Sequence, residues 1–395
     1  MKYDLDEMIL QAGELKASDL FIKSDSVPSI RQHGKVVSLD HPRVTLEEVH
    51  DLVYSKMTPK QQGIFEDHHE MDLAFSVGEG LRIRMNIYQQ RGGPATVCRL
   101  IPTRIRSLEE LGCPAKVKDF TTHRNGLVLV TGPTGCGKTT TLAAMIDLLN
   151  QNRRVNIITL EDPIEFVHKD KMAIVSQREV GIDTDNFNVA LRHVLRQAPD
   201  IILIGEMRDL ETMNIALQAA ETGHLVFATV HTASAAETLD RVSNMYAPHE
   251  RPMLWLRLST TLRGVISQKL LARADGEGRI AAIEVMDVTP TIINLLEKGA
   301  SDEIYSAIRQ AGIEAYWGMQ TMNQALLDFV KKGLITEADA LANANPYTEL
   351  RQLIRMAQTK GELRASPPPV PGLPAMPGAP PMPGMPPGGP PPPTR

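Results

Sequence analysis

The stretch Gly132-Pro-Thr-Gly-Cys-Gly-Lys-Thr139 constrains this chain more than any other part of its sequence. Its spacing, Gly-x-x-x-x-Gly-Lys-Thr, is that of a phosphate-binding loop between a strand and a helix. Glycines let backbone N–H groups turn toward phosphate oxygens, Lys138 reaches the β and γ phosphates, and Thr139 offers a hydroxyl to Mg²⁺. The motif predicts an α/β fold that binds ATP with Mg²⁺. The residues predicted to contact the nucleotide are Gly132, Pro133, Thr134, Gly135, Cys136, Gly137, Lys138, Thr139 and Thr140.

Apolar segments of strand length surround this loop. The sequence predicts strands at 127–131, 156–160, 201–204 and 225–229, and a helix at 139–149. The first and third strands are nearly continuous apolar runs, which is typical of parallel strands covered on both faces. The helix would direct the positive end of its dipole at the bound anion.

Polar side chains follow the other predicted strands. Glu206 ends one strand and Glu161 ends another, and the carboxyl edge of a parallel sheet is where α/β proteins bind ligands. Phosphate transfer needs a carboxylate to orient water and acceptors around Mg²⁺, so both residues are candidates. A solvated carboxylate at each strand end would give the same pattern. His224 and His231 flank the last strand, and an isolated histidine is more often structural than catalytic.

The first hundred residues predict a small α+β unit. Leu5, Met8, Ile9 and Leu15 share one helical face. Thr45 and Thr58 each fit a capping box that opens a helix. The predicted strands lie at 20–23, 36–39, 71–75, 81–88 and 96–101.

The remainder of the chain divides into three kinds of segment. A linker is predicted at 103–115, and the stretch 248–360 is predicted to be mostly helical. Between Ser366 and Arg395 lie 15 of the 28 prolines, so 361–395 predicts a disordered, partly polyproline-II tail.

Composition and charge disfavour several classes of protein. The net charge of −5 disfavours a nucleic-acid binder, because phosphate contacts need concentrated lysine and arginine. Three scattered cysteines predict neither a disulfide framework nor a zinc site, and a reducing cytoplasm is the simplest setting. The start of the chain does not show the apolar core that a signal peptide needs. The sequence also contains no apolar run long enough to predict a membrane-spanning helix.

Four motifs in order resemble the type II/IV secretion and type IV pilus motor ATPases, specifically the PilT/PilU retraction group. They are GPTGCGKTT, TLEDPIEF, RQAPDIILIGEMRD and GHLVFATVHT. The resemblance implies a PAS-like α+β domain at 1–102 and a RecA-like ATPase domain with a helical C-terminal part at 116–360. It also implies a homohexamer that acts on an inner-membrane pilus platform protein, sits in the cytoplasm at the pilus base, and touches the membrane only through partners.

The resemblance assigns roles to individual residues as well. Glu206 would assist the attack of water, and Glu161 would support Mg²⁺ through water. His231 would sense the γ-phosphate or bridge to a neighbouring subunit, and His224 is grouped with the nucleotide-binding residues. The arginines of the N-terminal sheet would stabilise charge at the nucleotide: Arg82, Arg84 and Arg99.

Two departures from related motors bear on function. Assembly and secretion motors usually carry a four-cysteine zinc insertion, which this chain lacks, and this favours pilus retraction. The stretch Thr291-Ile-Ile-Asn-Leu-Leu-Glu297 replaces an Ala-Ile-Arg helix typical of the PilT group. A main retraction motor, a PilU-like accessory motor working with a paralogue, and a divergent paralogue therefore stay open. An assembly or export motor, a nucleic-acid translocase and a catalytically silent ring subunit are less favoured by these residues.

Overall fold

The computed structural model describes residues 4–32, 34–78, 81–101, 104–314 and 316–363. These residues form two β-sheets, and each sheet packs against its own apolar clusters. Most of the predicted tail, from residue 364 onward, lies outside the described residues.

The N-terminal sheet is antiparallel, with the strand order β3-β2-β1-β6-β5-β4. Its strands are β1 (Asp19–Lys23), β2 (Ser29–Gln32), β3 (Lys35–Ser38), β4 (Glu70–Val77), β5 (Leu81–Gln90) and β6 (Gly93–Ile101). Three helices pack with it around one core: α1 (Leu5–Glu14), α2 (Leu46–Tyr54) and α3 (Pro59–His68). Both predicted capping boxes are confirmed, at Thr45 and at Thr58.

Three details of this unit differ from prediction. Leu15 is 41% exposed because α1 ends at Glu14 and the chain turns away from the core there. β3 forms close to the predicted place, but all four of its residues are exposed because it is an edge strand. β2 was missed, since a four-residue strand gives little periodicity.

The central sheet has the order β13-β12-β7-β11-β10-β8-β9, and only β13 pairs antiparallel. Its strands are β7 (Gly126–Thr131), β8 (Asn156–Glu161), β9 (Ile174–Glu179), β10 (Ile201–Ile204), β11 (Leu225–Val230), β12 (Leu262–Ala272) and β13 (Arg279–Asp287). Leu127 and Leu129 of β7 pack in one cluster while Val128 and Val130 pack in another. Both faces of the sheet are therefore covered, as the apolar runs predicted.

Helices cover the central sheet and extend it toward the C-terminus. They are α4 (Ala115–Asp119), α5 (Lys138–Asn152), α6 (Phe187–Val194), α7 (Leu210–Glu221), α8 (Ala235–Asn244), α9 (Arg251–Thr261), α10 (Pro290–Lys298), α11 (Ile304–Glu314), α12 (Met322–Lys331), α13 (Glu337–Asn343) and α14 (Tyr347–Thr359). None of the helices in the described part of the chain has the length and apolar character needed to cross a lipid bilayer.

The helices α9 to α14 agree with the prediction that 248–360 is mostly helical, but two long strands within this stretch were missed. β12 and β13 pair over nine residues, from Gly264 with Asp287 to Ala272 with Arg279. β12 also pairs with β7, more than 130 residues earlier in the chain, as in Ser267 with Thr131. Such non-local pairing leaves only a mixed apolar run in the local sequence, which fits a helix as well as a strand.

Candidate functional site

The phosphate-binding loop lies where β7 ends and α5 begins. Gly132 has φ 144°, and a Cβ there would stand 2.4 Å from the backbone oxygen of Gln268, so only glycine fits. Lys138 is 8% exposed, and its Nζ donates to the carbonyls of Gly132 at 2.8 Å and Pro133 at 3.1 Å. An ammonium group has three donors, so Lys138 holds the loop and retains a donor for phosphate.

Two cavities flank this loop. The larger, about 660 Å³, opens at the carboxyl ends of the central strands, and the smaller, about 480 Å³, lies on the other side of the loop. Gly135, Lys138 and Thr139 line both. The larger cavity is also lined by the predicted catalytic residues Glu161, Glu206 and His231. The space around the loop therefore suits a phosphate chain, with carboxylates and an imidazole on one side.

Glu206 follows β10 and lies beside an arginine and a histidine. Its Oε2 lies 2.7 Å from Arg208 and its Oε1 lies 3.2 Å from Nε2 of His231. The hydrogen bond from Arg208 lowers the pKa of the Glu206 carboxyl below its ordinary value, which keeps it ionised at neutral pH. An ionised carboxylate that lines the cavity can accept a hydrogen bond or a proton from water.

Glu161 occupies the end of β8 and is almost fully buried, at 7% exposed. Its Oε1 accepts hydrogen bonds from the hydroxyl of Thr159 at 2.7 Å and the amide of Gln177 at 3.0 Å. Burial raises the pKa of this carboxyl above its ordinary value. Neither of these side-chain hydrogen bonds uses Oε2, so that oxygen retains lone-pair capacity for another ligand.

Among the three predicted arginines, Arg82 is the one with an ion pair to the central sheet. Its guanidinium lies 3.5 Å from Oε2 of Glu179, the last residue of β9. Glu179 is directly opposite Glu161 in the β8–β9 register. The Nε of Arg82 is buried and makes no hydrogen bond within the described residues. The N-terminal sheet thus places a partly unsatisfied cation beside the edge that carries Glu161.

Arg84 and Arg99 lie elsewhere on the N-terminal sheet, directly opposite each other on β5 and β6. Arg99 pairs with Oδ1 of the buried Asp19 at 3.1 Å, and Arg31 pairs with Oδ2 of the same carboxylate at 3.2 Å. Within one chain, Arg99 therefore acts as a partner of Asp19, and a role for it at a nucleotide stays a prediction.

The two histidines lie at opposite ends of β11. His231 follows the strand and lines the larger cavity, whereas His224 precedes it. The ring Nδ1 of His224 lies 2.9 Å from the carbonyl of Ala219 at the end of α7. Within one chain a six-residue strand separates His224 from His231, so the grouping of His224 with the nucleotide-binding residues stays a prediction.

Cys136 lies inside the loop, where the start of a helix favours a reactive thiolate. The structure disfavours a reactive thiolate, because the residue is 3% exposed and burial raises the pKa of its thiol above the ordinary value. A raised pKa leaves less thiolate at any given pH near neutrality. The thiols of Cys98 and Cys113 are free as well, with pKa values raised to about 12 and about 11.

We expect Cys136 to alkylate with iodoacetamide much more slowly than an exposed thiol at a pH of about 7.5, because both burial and its raised pKa lower the concentration of accessible thiolate. Peptide mass spectrometry over a time course would measure the rate. The same protein unfolded in urea provides the control for intrinsic reactivity. Alkylation of Cys136 at equal rates in the folded and unfolded protein would contradict the buried placement.

Several residues that build this site were not found from the sequence. Gln268 on β12 donates a hydrogen bond to the backbone of the loop. On β9, Gln177 donates to Glu161, and Glu179 pairs with Arg82. Arg208 could have been suspected from the sequence, since it lies two residues after Glu206 in the motif RQAPDIILIGEMRD. The others lie on strands whose pairing is non-local, and nothing in their local sequence marks them.

Comparison with known proteins identifies relatives over nearly the whole described chain. The family described as "Type II/IV secretion system protein" matches residues 1–332. The type IV pilus retraction ATPase PilT of Pseudomonas aeruginosa is 46% identical over 341 residues, which cover 86% of this chain and 98% of the relative. The type IV pilus ATPase PilU of the same organism is 39% identical over 353 residues, 89% of this chain and 92% of the relative.

A solved structure supports the same relationship. The crystal structure of the pilus retraction motor PilT with bound ADP aligns with a TM-score of 0.82 at 42% identity, covering 89% of this chain and 99% of that one. The phosphate loop and its carboxylates, together with this relationship, make the protein an ATP-hydrolysing enzyme. The chain belongs to the type II/IV secretion ATPase family, within the group that contains the pilus motors PilT and PilU.

Proposed function

We propose that this protein is a hexameric motor that uses ATP hydrolysis to retract type IV pili and so drives twitching motility. The observation that carries the proposal is the meeting of Lys138, Glu161, Glu206 and His231 around one cavity, with Arg82 of the other sheet beside its edge. The residues proposed for ATP hydrolysis and a contact between the two sheets therefore lie next to each other. A motor that moves one sheet against the other requires this arrangement.

Each residue has a role in the proposed reaction. The loop N–H groups and Lys138 hold the β and γ phosphates, and Glu206 orients the attacking water and accepts its hydrogen bond. His231, 3.2 Å from Glu206, fixes the orientation of that carboxylate and, because it lines the same cavity, would sense the γ-phosphate. Arg82 is the arginine best placed to stabilise charge, since its Nε lacks a partner among the described residues.

The donor set fits Mg²⁺. The hydroxyl of Thr139 and the carboxylate of Glu161 both line the larger cavity, and Mg²⁺ prefers such oxygen ligands. In the described ranges no cluster of three or more histidine, cysteine, aspartate or glutamate side chains could hold a metal by itself. A nucleotide-bound Mg²⁺ needs only one or two protein ligands, since phosphates and water complete its shell. Mg²⁺ would neutralise charge that develops on the phosphates.

We further propose the domain division that the sequence predicts, with a PAS-like domain at 1–102, a linker at 103–115 and a RecA-like domain at 116–360. The antiparallel sheet with its own core supports the first domain, and the neighbouring parallel strands around the loop support the second. The oligomer is a homohexamer with nucleotide between the domains, at the cytoplasmic face of the inner membrane, where a platform protein of the pilus is its partner.

A PilU-like accessory motor is the second candidate. The identity of 39% to PilU over most of both chains favours it over an assembly motor. The two candidates differ in whether the chain alone suffices for retraction, and a paralogous motor would be a partner in the accessory case.

Deletion of the gene in its source organism tests the proposal. We expect excess surface pili and lost twitching motility, because pili would still assemble and would no longer be withdrawn. Electron microscopy of pili and a motility-plate assay measure the outcome, and complementation with the intact gene and with a Lys138→Ala copy provides the control. Cells without pili would show an assembly motor, and unchanged pili with unchanged motility would remove this protein from pilus biology.

A further inference from the structure

Gln268 lies directly beneath the phosphate-binding loop and is 2% exposed. β12 runs parallel to β7, with Ile266 opposite Val130 and Ser267 opposite Thr131. Gln268 therefore stands one residue beyond the end of β7, at the level where the loop starts. No part of the mechanism above uses this buried polar side chain.

Both ends of the Gln268 amide are engaged. Its Nε2 donates to the backbone carbonyl of Cys136 at 2.6 Å, and its Oε1 accepts from the hydroxyl of Thr141 at 3.0 Å. A carbonyl can only accept, so the amide nitrogen must be the atom that faces Cys136. Thr141 belongs to the first turn of α5, so one side chain connects β12, the loop and the helix.

The hydrogen bond to the Cys136 carbonyl also fixes the direction of the next amide group. In a trans peptide the C=O and the following N–H point to opposite sides. With the carbonyl of Cys136 turned toward Gln268, the N–H of Gly137 points away from β12, as a phosphate contact requires. Gly137 has φ 92°, and glycine has few steric limits on its backbone angles. The orientation of the Cys136–Gly137 peptide therefore needs a restraint from another residue.

We propose that Gln268 is a positioning residue for nucleotide binding, which holds the Cys136–Gly137 peptide in the orientation that presents the Gly137 N–H to phosphate. Without that donor, the carbonyl of Cys136 is free to turn toward the phosphates and repel them. The inference rests on the loop being the ATP site, and it concerns binding rather than the load that the motor moves.

The test is the affinity of purified, full-length protein for Mg-ADP, measured by isothermal titration. We expect Gln268→Met, which keeps the length of the side chain and removes the donor, to weaken binding at least tenfold. We also expect KM for ATP to rise while kcat at saturation falls much less, because Gln268 does not contact the reacting atoms. Gln320→Met is the matched control, since it removes a 2.7 Å hydrogen bond to the carbonyl of Ile283 away from the loop.

A Gln268→Met protein that is folded by circular dichroism and binds Mg-ADP like the wild type would overturn the proposal. Equal weakening in Gln320→Met would do so too, because it would show a general loss of stability. If Gln268→Met does not fold, Thr141→Val decides, since it removes only the hydroxyl that orients the amide. We expect a severalfold weaker affinity there, and wild-type affinity would overturn the proposal. All of these measurements use isolated protein, so they stand apart from the pilus phenotype that tests the proposed function.

Discussion

Replacing Glu206 with glutamine is expected to lower steady-state ATP turnover by about 10²–10⁴-fold, the usual contribution of a positioned general base. Glutamine has the same shape and can still accept a hydrogen bond from Arg208, which lies 2.7 Å from the carboxylate. It cannot carry the negative charge that draws a proton from water. Nucleotide binding should persist, because the loop and Lys138 are untouched, and a phosphate-release assay together with nucleotide titration would separate the two effects.

Glu221→Gln is the matched control for this variant. Glu221 is also a partly exposed carboxylate paired with an arginine, Arg257, but it lies on α7 outside the cavity. Its replacement should leave turnover unchanged. Normal turnover in Glu206→Gln would remove Glu206 from the mechanism, and lost ATP binding in that variant would assign it a structural role instead.

Replacing Lys138 with alanine is expected to weaken ATP binding by roughly 10- to 100-fold, because a hydrogen bond involving a charged group is worth about 1.5–3 kcal/mol. The lost ammonium donates to the carbonyls of Gly132 and Pro133 and is the group that we propose to contact the phosphates. The loop therefore loses a ligand contact and an internal restraint together. Turnover should fall below that of the wild type even at saturating ATP, since the same charge stabilises the transferred phosphate.

The control for this variant is Lys116→Ala. Lys116 is also mostly buried, at 19% side-chain exposure, and it pairs with Asp287 at 2.6 Å, apart from the loop. Its loss should lower the unfolding temperature and leave ATP affinity intact. An unchanged dissociation constant for Lys138→Ala, measured by isothermal titration, would refute the assignment of the phosphate-binding loop.

Local patterns predicted those parts of the fold whose determinants lie close together in sequence. The strand 201–204 has the bounds predicted, and α5 begins one residue earlier and ends three later than the predicted helix. The Thr45 and Thr58 caps depend on contacts three residues apart, so the sequence contains all the information they need. β12 depends on β7, more than 130 residues earlier, and β13 depends on β12, and both strands were missed.

The residues of the candidate site also divide into those that local sequence predicts and those that depend on distant parts of the chain. The glycine-rich motif identifies Lys138, and the apolar runs of two predicted strands identify Glu161 and Glu206 at their ends. The structure brings all three residues around one cavity. The arginines depend on how one sheet sits beside the other, which no local pattern encodes. Arg82 reaches the central sheet, while Arg99 is engaged by Asp19.

The register between β8 and β9 has an electrostatic consequence. Glu161 lines the larger cavity, and Glu179, its partner across one strand spacing of about 4.8 Å, pairs with Arg82 of the N-terminal sheet. Ions in physiological solution screen charges over about 8 Å, and buried groups are screened less. We therefore expect a change of charge in the cavity beside Glu161 to act on the contact between Arg82 and Glu179. Loss of a phosphate charge there would alter the strength of that contact through the electric field.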